Sequence, residues 1–407
     1  MILGYHFHIP ALMDDSGVLW TDGGQGRFLV SIAVRCERVV CFFHGPAAAE
    51  RPRLNYPVCR PNVELVPLGV RRRLRRRLLR RWRPPAGVRS RLTDLDALLI
   101  QTPTPLTTAI AAASDRVPLV IYQTGHPFHA IAGLERSPPV RWAIKVWTAW
   151  DWRWQRRLAR RGLVIVNSDE MPPLWGPREK PLREISTATL RPEDFFARHD
   201  TCRDSLKCIL HVGAVTRAKG VDRLARAVLE LLSRGLELRL DIVGDAPPDH
   251  ALRQEIERRF VAAGFGDRVR FRGFLQLGDE LFACYRGADL FVTASLFEGF
   301  PRVIWEAMAS SLPVVATRVG AIQSRLEHER DALLVEPRDV AALADAIARV
   351  VADGELRRRL IRQGLELATR NTAAATAREL IDAIEAWRGA AQSEIAARNG
   401  SGCLLYT

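Results

Sequence analysis

Short apolar runs alternate with stretches of helical period along most of the chain. In the carboxyl-terminal half the runs are Cys208–Val212, Leu238–Val243, Val269–Arg272, Leu290–Thr293 and Pro313–Thr317, each followed by room for one helix. Continuous apolar strands that alternate with helices predict βαβ units around parallel sheets covered on both faces. The first half repeats the pattern less regularly at Met1–Tyr5, Arg38–Phe43, Ala97–Gln101, Val117–Tyr122 and Leu163–Asn167. Two doubly wound α/β domains are therefore expected, at residues 1–195 and 196–371. The linker falls near residues 188–206, where Ala188-Thr-Leu-Arg-Pro-Glu-Asp194 interrupts both patterns. From Val340 the period is helical. The helix at about 372–389 is expected to pack back on the first domain, and the polar residues 390–407 to fray. Ligands of open α/β sheets bind beyond the carboxyl ends of the strands, so two such domains facing each other would enclose a cleft.

Length and composition narrow the class. The chain has 407 residues, 47% of them hydrophobic and 26% charged, without internal repeats, which excludes solenoid, collagen-like and disordered chains. Seven scattered cysteines form no Cys-x-x-Cys pair, so no disulfide framework or zinc knuckle is indicated and a reducing cytoplasm fits. Neither a transmembrane run nor a signal peptide is legible.

The formal charge of +14 changes meaning once it is located. Residues 71–91 carry eleven Arg and no acid, and residues 141–161 carry six Arg and one Lys against one Asp. Without these two segments the balance turns slightly negative. Val70, Leu74, Leu78 and Trp82 recur every four residues in the first, and Trp147, Trp150, Trp154 and Leu158 at spacings of three and four in the second. Each reads as a basic amphipathic helix, the kind that lies in the headgroup layer of an anionic membrane. The competing reading is a core-facing stripe with solvated arginines. A nucleic-acid surface fits less well, because stacking platforms for bases sit on sheets and grooves. The expected partner is thus an anionic membrane surface through 70–82 and 142–161, with no nucleic acid.

Candidate chemistry concentrates in the second half. After the strand ending at Thr293 comes Leu296-Phe-Glu-Gly-Phe-Pro-Arg-Val-Ile-Trp-Glu-Ala-Met-Ala309. Pro301 suits the first position of a helix, which leaves the amides around Phe300, Arg302 and Val303 as donors at a positive dipole end, where an anion binds. Glu298 and Glu306 flank that point, and carboxylates grip vicinal hydroxyls, so a diphosphate between a ribose and a hexose would give each a partner. A solvated acidic pair is the bland alternative. Against it, Glu306 lies in the apolar run Ile304–Met308, where a charge needs a partner. The second constellation is Gly213-Ala-Val-Thr-Arg-Ala-Lys-Gly220, a strand-to-helix turn in which Lys219 can face a diphosphate.

In the first half, Asp22-Gly-Gly-Gln-Gly-Arg-Phe-Leu29 opens a helix. Leu29 stands where a dinucleotide fingerprint needs Gly, so a glycine loop facing the cleft is expected in place of a nicotinamide site. Asp94 and Asp96 read as local caps, and no metal is assigned. His126, in Gln-Thr-Gly-His-Pro, sits just past a strand end.

Together, Gly213 with Lys219-Gly220, Asp241-Ile-Val-Gly-Asp245, Arg270-Phe-Arg-Gly273, and Glu298 and Glu306 with Pro313-Val-Val-Ala-Thr317 resemble the group 1 family of retaining glycosyltransferases (glycosyltransferase family 4). The resemblance runs from Cys208 to about Ala368 and is loose before that. It implies an α/β GT-B fold of two Rossmann-like domains, and transfer of a sugar from a nucleotide diphosphate sugar to an acceptor hydroxyl with retention and without a metal or other cofactor. By the resemblance, Glu298 holds the donor sugar, Glu306 the ribose and Lys219 the diphosphate. The backbone from Gly299 through Phe300, Pro301, Arg302 and Val303 touches sugar and phosphate, beside Gly213. Two departures stand out: Ala214 replaces the family's Arg, so Arg217 is the candidate second cation, and Pro301 replaces a Gly. Gly23 and Gly24 match the acceptor-side loop, and His126 matches the family's histidine approximately. A lipid-linked glycan acceptor of envelope or exopolysaccharide synthesis, met by a cytoplasmic enzyme at the inner face of the membrane, would explain the two basic Trp-rich segments. A soluble acceptor, a GT-B phosphorylase and a non-enzymatic nucleic-acid-binding protein are the alternatives.

Overall fold

The computed structural model describes residues 1–70, 86–104, 106–114, 117–125, 128, 137–160, 162–168, 171–176, 182–246 and 251–401. The chain divides into two compact units, Met1–Asn167 with Met171–Ile185 and Ala374–Thr407, and Ser168–Glu170 with Ser186–Ala373. The main crossing lies earlier than the expected residue 195, because Ala188 and Leu190 are buried in the core of the second unit.

The first unit is built on a seven-stranded sheet of β1 (Ile2–Pro10), β2 (Arg38–Gly45), β3 (Val63–Val70), β4 (Ala97–Thr102), β5 (Leu119–Gln123), β6 (Leu163–Val166) and β7 (Leu182–Glu184). They run in the order β7-β6-β5-β4-β1-β2-β3, and every pair is parallel. Strands β3 and β7 are additions to the five that the apolar runs predict. A small antiparallel ribbon, Leu12–Met13, Leu19–Thr21 and Tyr56–Val58, accompanies the sheet.

Helix α1 (Gly23–Ala33) follows the ribbon. The glycine stretch expected as a loop is its first turn, with Asp22 Oδ1 accepting from the Gln25 amide at 3.0 Å as N-cap. A Cβ on Gly26 would lie 2.2 Å from the Tyr56 ring, so this helix lies against the ribbon only with Gly there. Asp96, expected as a local cap, instead makes long-range ties: it accepts from the Ile2 amide of β1 and pairs with Arg388 of the carboxyl-terminal helix, each at 2.7 Å.

The carboxyl-terminal helix, Ala373–Ser401, packs Ala377, Leu380, Ile381, Ile384 and Trp387 into the first unit's core. This helix extends to Ser401, past residue 390 where the polar tail is expected to begin.

The second unit carries β8 (Lys207–Val212), β9 (Leu238–Val243), β10 (Val269–Gly273), β11 (Leu290–Thr293), β12 (Val314–Thr317) and β13 (Leu333–Val335), in the order β10-β9-β8-β11-β12-β13. All pairs are parallel, with Lys207 opposite Leu238 through Val212 opposite Val243 in the central register. Ile209 faces a core that includes Leu224, Val228 and Leu231, whereas Leu210 faces Ile304, Trp305 and Ala307. Layers on both faces explain why these strands read as unbroken apolar runs.

Candidate functional site

The turn Gly213–Gly220 joins β8 to α3 (Val221–Ser233) and is tied to the end of β9: the Gly213 amide donates to Val243 O at 2.9 Å and the Val215 amide to Asp245 O at 2.8 Å. Gly220 has φ +69, and a Cβ there would stand 1.8 Å from Ala294 O. Only glycine combines that backbone with so close an approach. The Leu296 amide donates to Ala218 O at 2.9 Å, so the turn lies along the segment that leaves β11.

This juxtaposition brings Lys219 to Glu298, with Nζ and Oε1 2.5 Å apart. The Ser295 hydroxyl donates to the same oxygen at 2.8 Å, and the Thr317 hydroxyl fixes Ser295 through its carbonyl at 2.6 Å. On the other side Gly320, with φ +52, supports the backbone. Its Cβ would lie 2.0 Å from Glu298 O, and the next amide, of Ala321, donates to Gly299 O at 2.9 Å. Phe300 is buried and stacks on Trp305 with centroids 4.3 Å apart. Helix α6 follows (Arg302–Ala309; α4 is Ala251–Ala262 and α5 is Asp279–Arg286). It starts one residue later than expected, with Pro301 as N-cap at φ −75 and ψ 120. The amides of Arg302 and Val303 thus lie in a first turn, where a helix offers no carbonyl partner.

Glu306 sits inside α6 and is 5% exposed. Its Oε2 accepts from the Tyr285 hydroxyl of α5 at 2.9 Å. Burial and the Glu306 charge push the Tyr285 pKa well up, so that hydroxyl remains a donor. The partner that the charge of Glu306 needed in its apolar run is therefore supplied by Tyr285.

Arg217, the candidate second cation, is turned to its own surface. It pairs with Glu255 of α4 at 2.5 Å and with Asp222 of α3 at 3.5 Å. Gly23 and Gly24 are buried in the first turn of α1. His126 and residues 71–85 of the first basic segment lie outside the described residues. Ser295, Tyr285 and Gly320 carry no mark in the sequence, and Thr317 enters it only as the end of the run Pro313–Thr317. The hydroxyl residues look like strand ends and Tyr285 like core, while a glycine shortly after a strand is a weak signal.

The second basic segment forms the helix α2 (Pro138–Ala159). Its inner face is Asp151, Trp152, Gln155 and Ala159. Trp152 lies 4.5 Å from Trp175 between centroids, and the Asp151 carboxylate accepts from Thr108 at 2.5 Å and Gln155 at 2.6 Å. Trp142 (68% exposed), Val146, Trp150 (57%) and Trp154 follow one another at each turn on the outside. Of the stripe expected to share one face, Trp147 and Leu158 are half-buried while Trp150 and Trp154 are exposed, so the apolar line in solvent is rotated from the expected one. Among the described residues no three His, Cys, Asp or Glu side chains gather as a metal site requires, and no helix is long and apolar enough to cross a membrane.

Residues 207–353 match the family model described as Glycosyl transferases group 1. An uncharacterized glycosyltransferase of Methanocaldococcus jannaschii is 33% identical over 166 residues, 41% of either chain. A D-inositol 3-phosphate glycosyltransferase of Corynebacterium efficiens is 35% identical over 176 residues, 43% of this chain and 41% of that one. The chain thus spans well under half the length of these relatives. Anabaena HepE in complex with UDP-glucose has a TM-score of 0.67 at 19% identity, covering 95% of this chain and 100% of its own, a likeness of fold and that fold is GT-B. Residues 207–353, the greater part of the second unit, are thus similar to the group 1 glycosyltransferases, and the fold of the chain is that of GT-B enzymes.

Proposed function

We propose that the chain transfers a sugar from a nucleotide diphosphate sugar to an acceptor hydroxyl, with retention at the anomeric carbon. The observation that carries this reading is the Lys219–Glu298 pair beside the start of α6. Glu298 grips the sugar hydroxyls, Glu306 the ribose, and Lys219 with the amides of Arg302 and Val303 the diphosphate. The barrier is charge separation: as the bond from C1 to the phosphate oxygen breaks, negative charge grows on the diphosphate. A fixed ammonium and a helix dipole stabilise that charge without reorganising. The acceptor oxygen bonds to C1 on the face the phosphate leaves, and its proton passes to the departing phosphate oxygen. Anabaena HepE, of like fold, was solved with UDP-glucose, which puts UDP first among the bases to try.

The test is thermal shift against UDP-, GDP- and ADP-sugars, followed by proton NMR of the product's anomeric signal with EDTA present. The expected result is stabilisation by one of these donors and a product of retained configuration. Sugar 1-phosphate formed only with inorganic phosphate would replace transfer by phosphorolysis.

The acceptor side is read from α2. Its outer line of Trp142, Val146, Trp150 and Trp154 is interleaved with Lys145, Arg153, Arg156, Arg157 and Arg160, and the Arg157 guanidinium stands 5.8 Å from the Trp154 ring centroid. Indoles at the acyl boundary with arginines on phosphates match an anionic bilayer surface, and a lipid-linked glycan is the acceptor such a surface presents. The wild-type chain is expected to float with phosphatidylglycerol vesicles at low salt and to stay behind with phosphatidylcholine. The Trp142→Ser, Trp150→Ser, Trp154→Ser variant should bind at least about 10-fold more weakly, from the apolar area lost. A wild-type chain indifferent to anionic lipid would move the acceptor into solution.

A further inference from the structure

Strand β8 ends in His211-Val212, directly under the Gly213–Gly220 turn. The His211 ring is buried, 1% exposed, and its Nδ1 stands 3.0 Å from Val292 O of the neighbouring strand. A carbonyl only accepts, so Nδ1 carries the hydrogen of the neutral ring and Nε2 the lone pair. Nε2 has no hydrogen-bond partner among the described residues. It faces the turn: a Cβ on Gly213 would lie 3.2 Å from it. A buried acceptor left without a donor is costly, and a phenylalanine would fill the same space without that cost. Packing alone therefore gives no reason for histidine here.

The turn is the element that Nε2 faces, and its Lys219 ammonium keeps hydrogens to spare. The amides of Gly213, Val215, Thr216 and Gly220 are held by backbone carbonyls, and that of Lys219 by the Thr216 hydroxyl. The Arg217 guanidinium is held by Glu255 and Asp222. The Lys219 ammonium has three hydrogens and gives one to Glu298. Its positive charge acts on His211: burial first, and Lys219 after it, hold the imidazole pKa down to about 4, so the ring is neutral near pH 7.

We infer that, with a donor diphosphate bound, His211 Nε2 accepts a hydrogen bond from the Lys219 ammonium and so fixes that charge on the leaving group. This rests on the donor site proposed above. His211 acts through Lys219 and does not touch substrate, which makes it a positioning residue.

The test compares His211→Phe, which removes the lone pair, with His211→Gln, whose amide oxygen can replace it. Calorimetry measures affinity for whichever of UDP, GDP and ADP the wild type binds best, and for its monophosphate, alongside kcat. The expected result is that His211→Phe loses roughly 10-fold or more in kcat and in diphosphate affinity, as for a hydrogen bond to a charged group. Monophosphate affinity should be unchanged, and His211→Gln should recover most of the loss. Wild-type values in His211→Phe, or equal losses in both variants that extend to the monophosphate, would overturn the assignment. A wild-type chain that binds none of the three diphosphates would overturn the donor reading itself, and this inference with it.

Discussion

Replacing Lys219 with alanine is expected to lower kcat about 100–1000-fold, the usual consequence of removing one preorganised group from a developing oxyanion. The stabilising charge is scarce at this point of the fold. Arg217, the nearest alternative in the turn, is tied to Glu255 and Asp222, and Ala214 offers no charge. The first turn of α6 supplies dipole and amides, but Pro301 contributes no amide of its own. The loss should appear in kcat, measured by release of the nucleoside diphosphate, more than in donor KM. Lys219 is a third exposed in its pair with Glu298, so its truncation should change folding stability by at most about 1 kcal/mol. A Lys219→Ala enzyme that melts like wild type yet turns over at the wild-type rate would remove Lys219 from the chemistry. Lys219→Arg is expected to restore charge but only part of the rate, since a planar fork does not reproduce a compact ammonium.

The second unit was legible because its strands are buried on both faces. Leu238–Val243 and Leu290–Thr293 have in the structure the limits that their apolar runs give. What escaped were elements whose burial is one-sided or brief. Strand β3 mixes Glu64, Pro67 and Gly69 into its apolar positions and runs into arginines, and β13 is only three residues long, followed directly by Glu336. The glycines after Asp22 looked like a loop because Gly is a poor helix former. The Asp22 cap and the close approach of Tyr56 to Gly26 decide the local structure instead. At the site, Lys219 and Glu298 were each legible from their place after a strand. Their contact spans 79 positions and depends on Gly220 and Gly320, which let two backbone segments come closer than any side chain permits. His211 and Tyr285 were invisible for a related reason: a polar side chain inside an apolar run shows its role only when its neighbours across the sheet or the helix pair are known.

Glu298→Gln keeps the shape of the side chain and removes its charge, which makes it the cleaner probe of the other half of the pair. The Ser295 hydroxyl can still donate to the amide oxygen, and Gly320 and Ala321 still hold the backbone, so the segment should keep its path. What disappears is the anion that holds the Lys219 ammonium at 2.5 Å and the charged acceptor offered to the sugar hydroxyls. A hydrogen bond to a charged group contributes about 1.5–3 kcal/mol, so a fall of roughly 10–100-fold in kcat/KM is expected for Glu298→Gln, with donor KM raised as well as kcat lowered. The double variant Lys219→Ala, Glu298→Gln should then lose less than the product of the single losses, because each change already removes the shared contact; coupling of about 0.5–3 kcal/mol is usual for residues that touch. Fully additive losses, measured as kcat/KM for the same nucleotide sugar, would mean that the two side chains act on the donor independently and that their pairing in this structure has no part in catalysis.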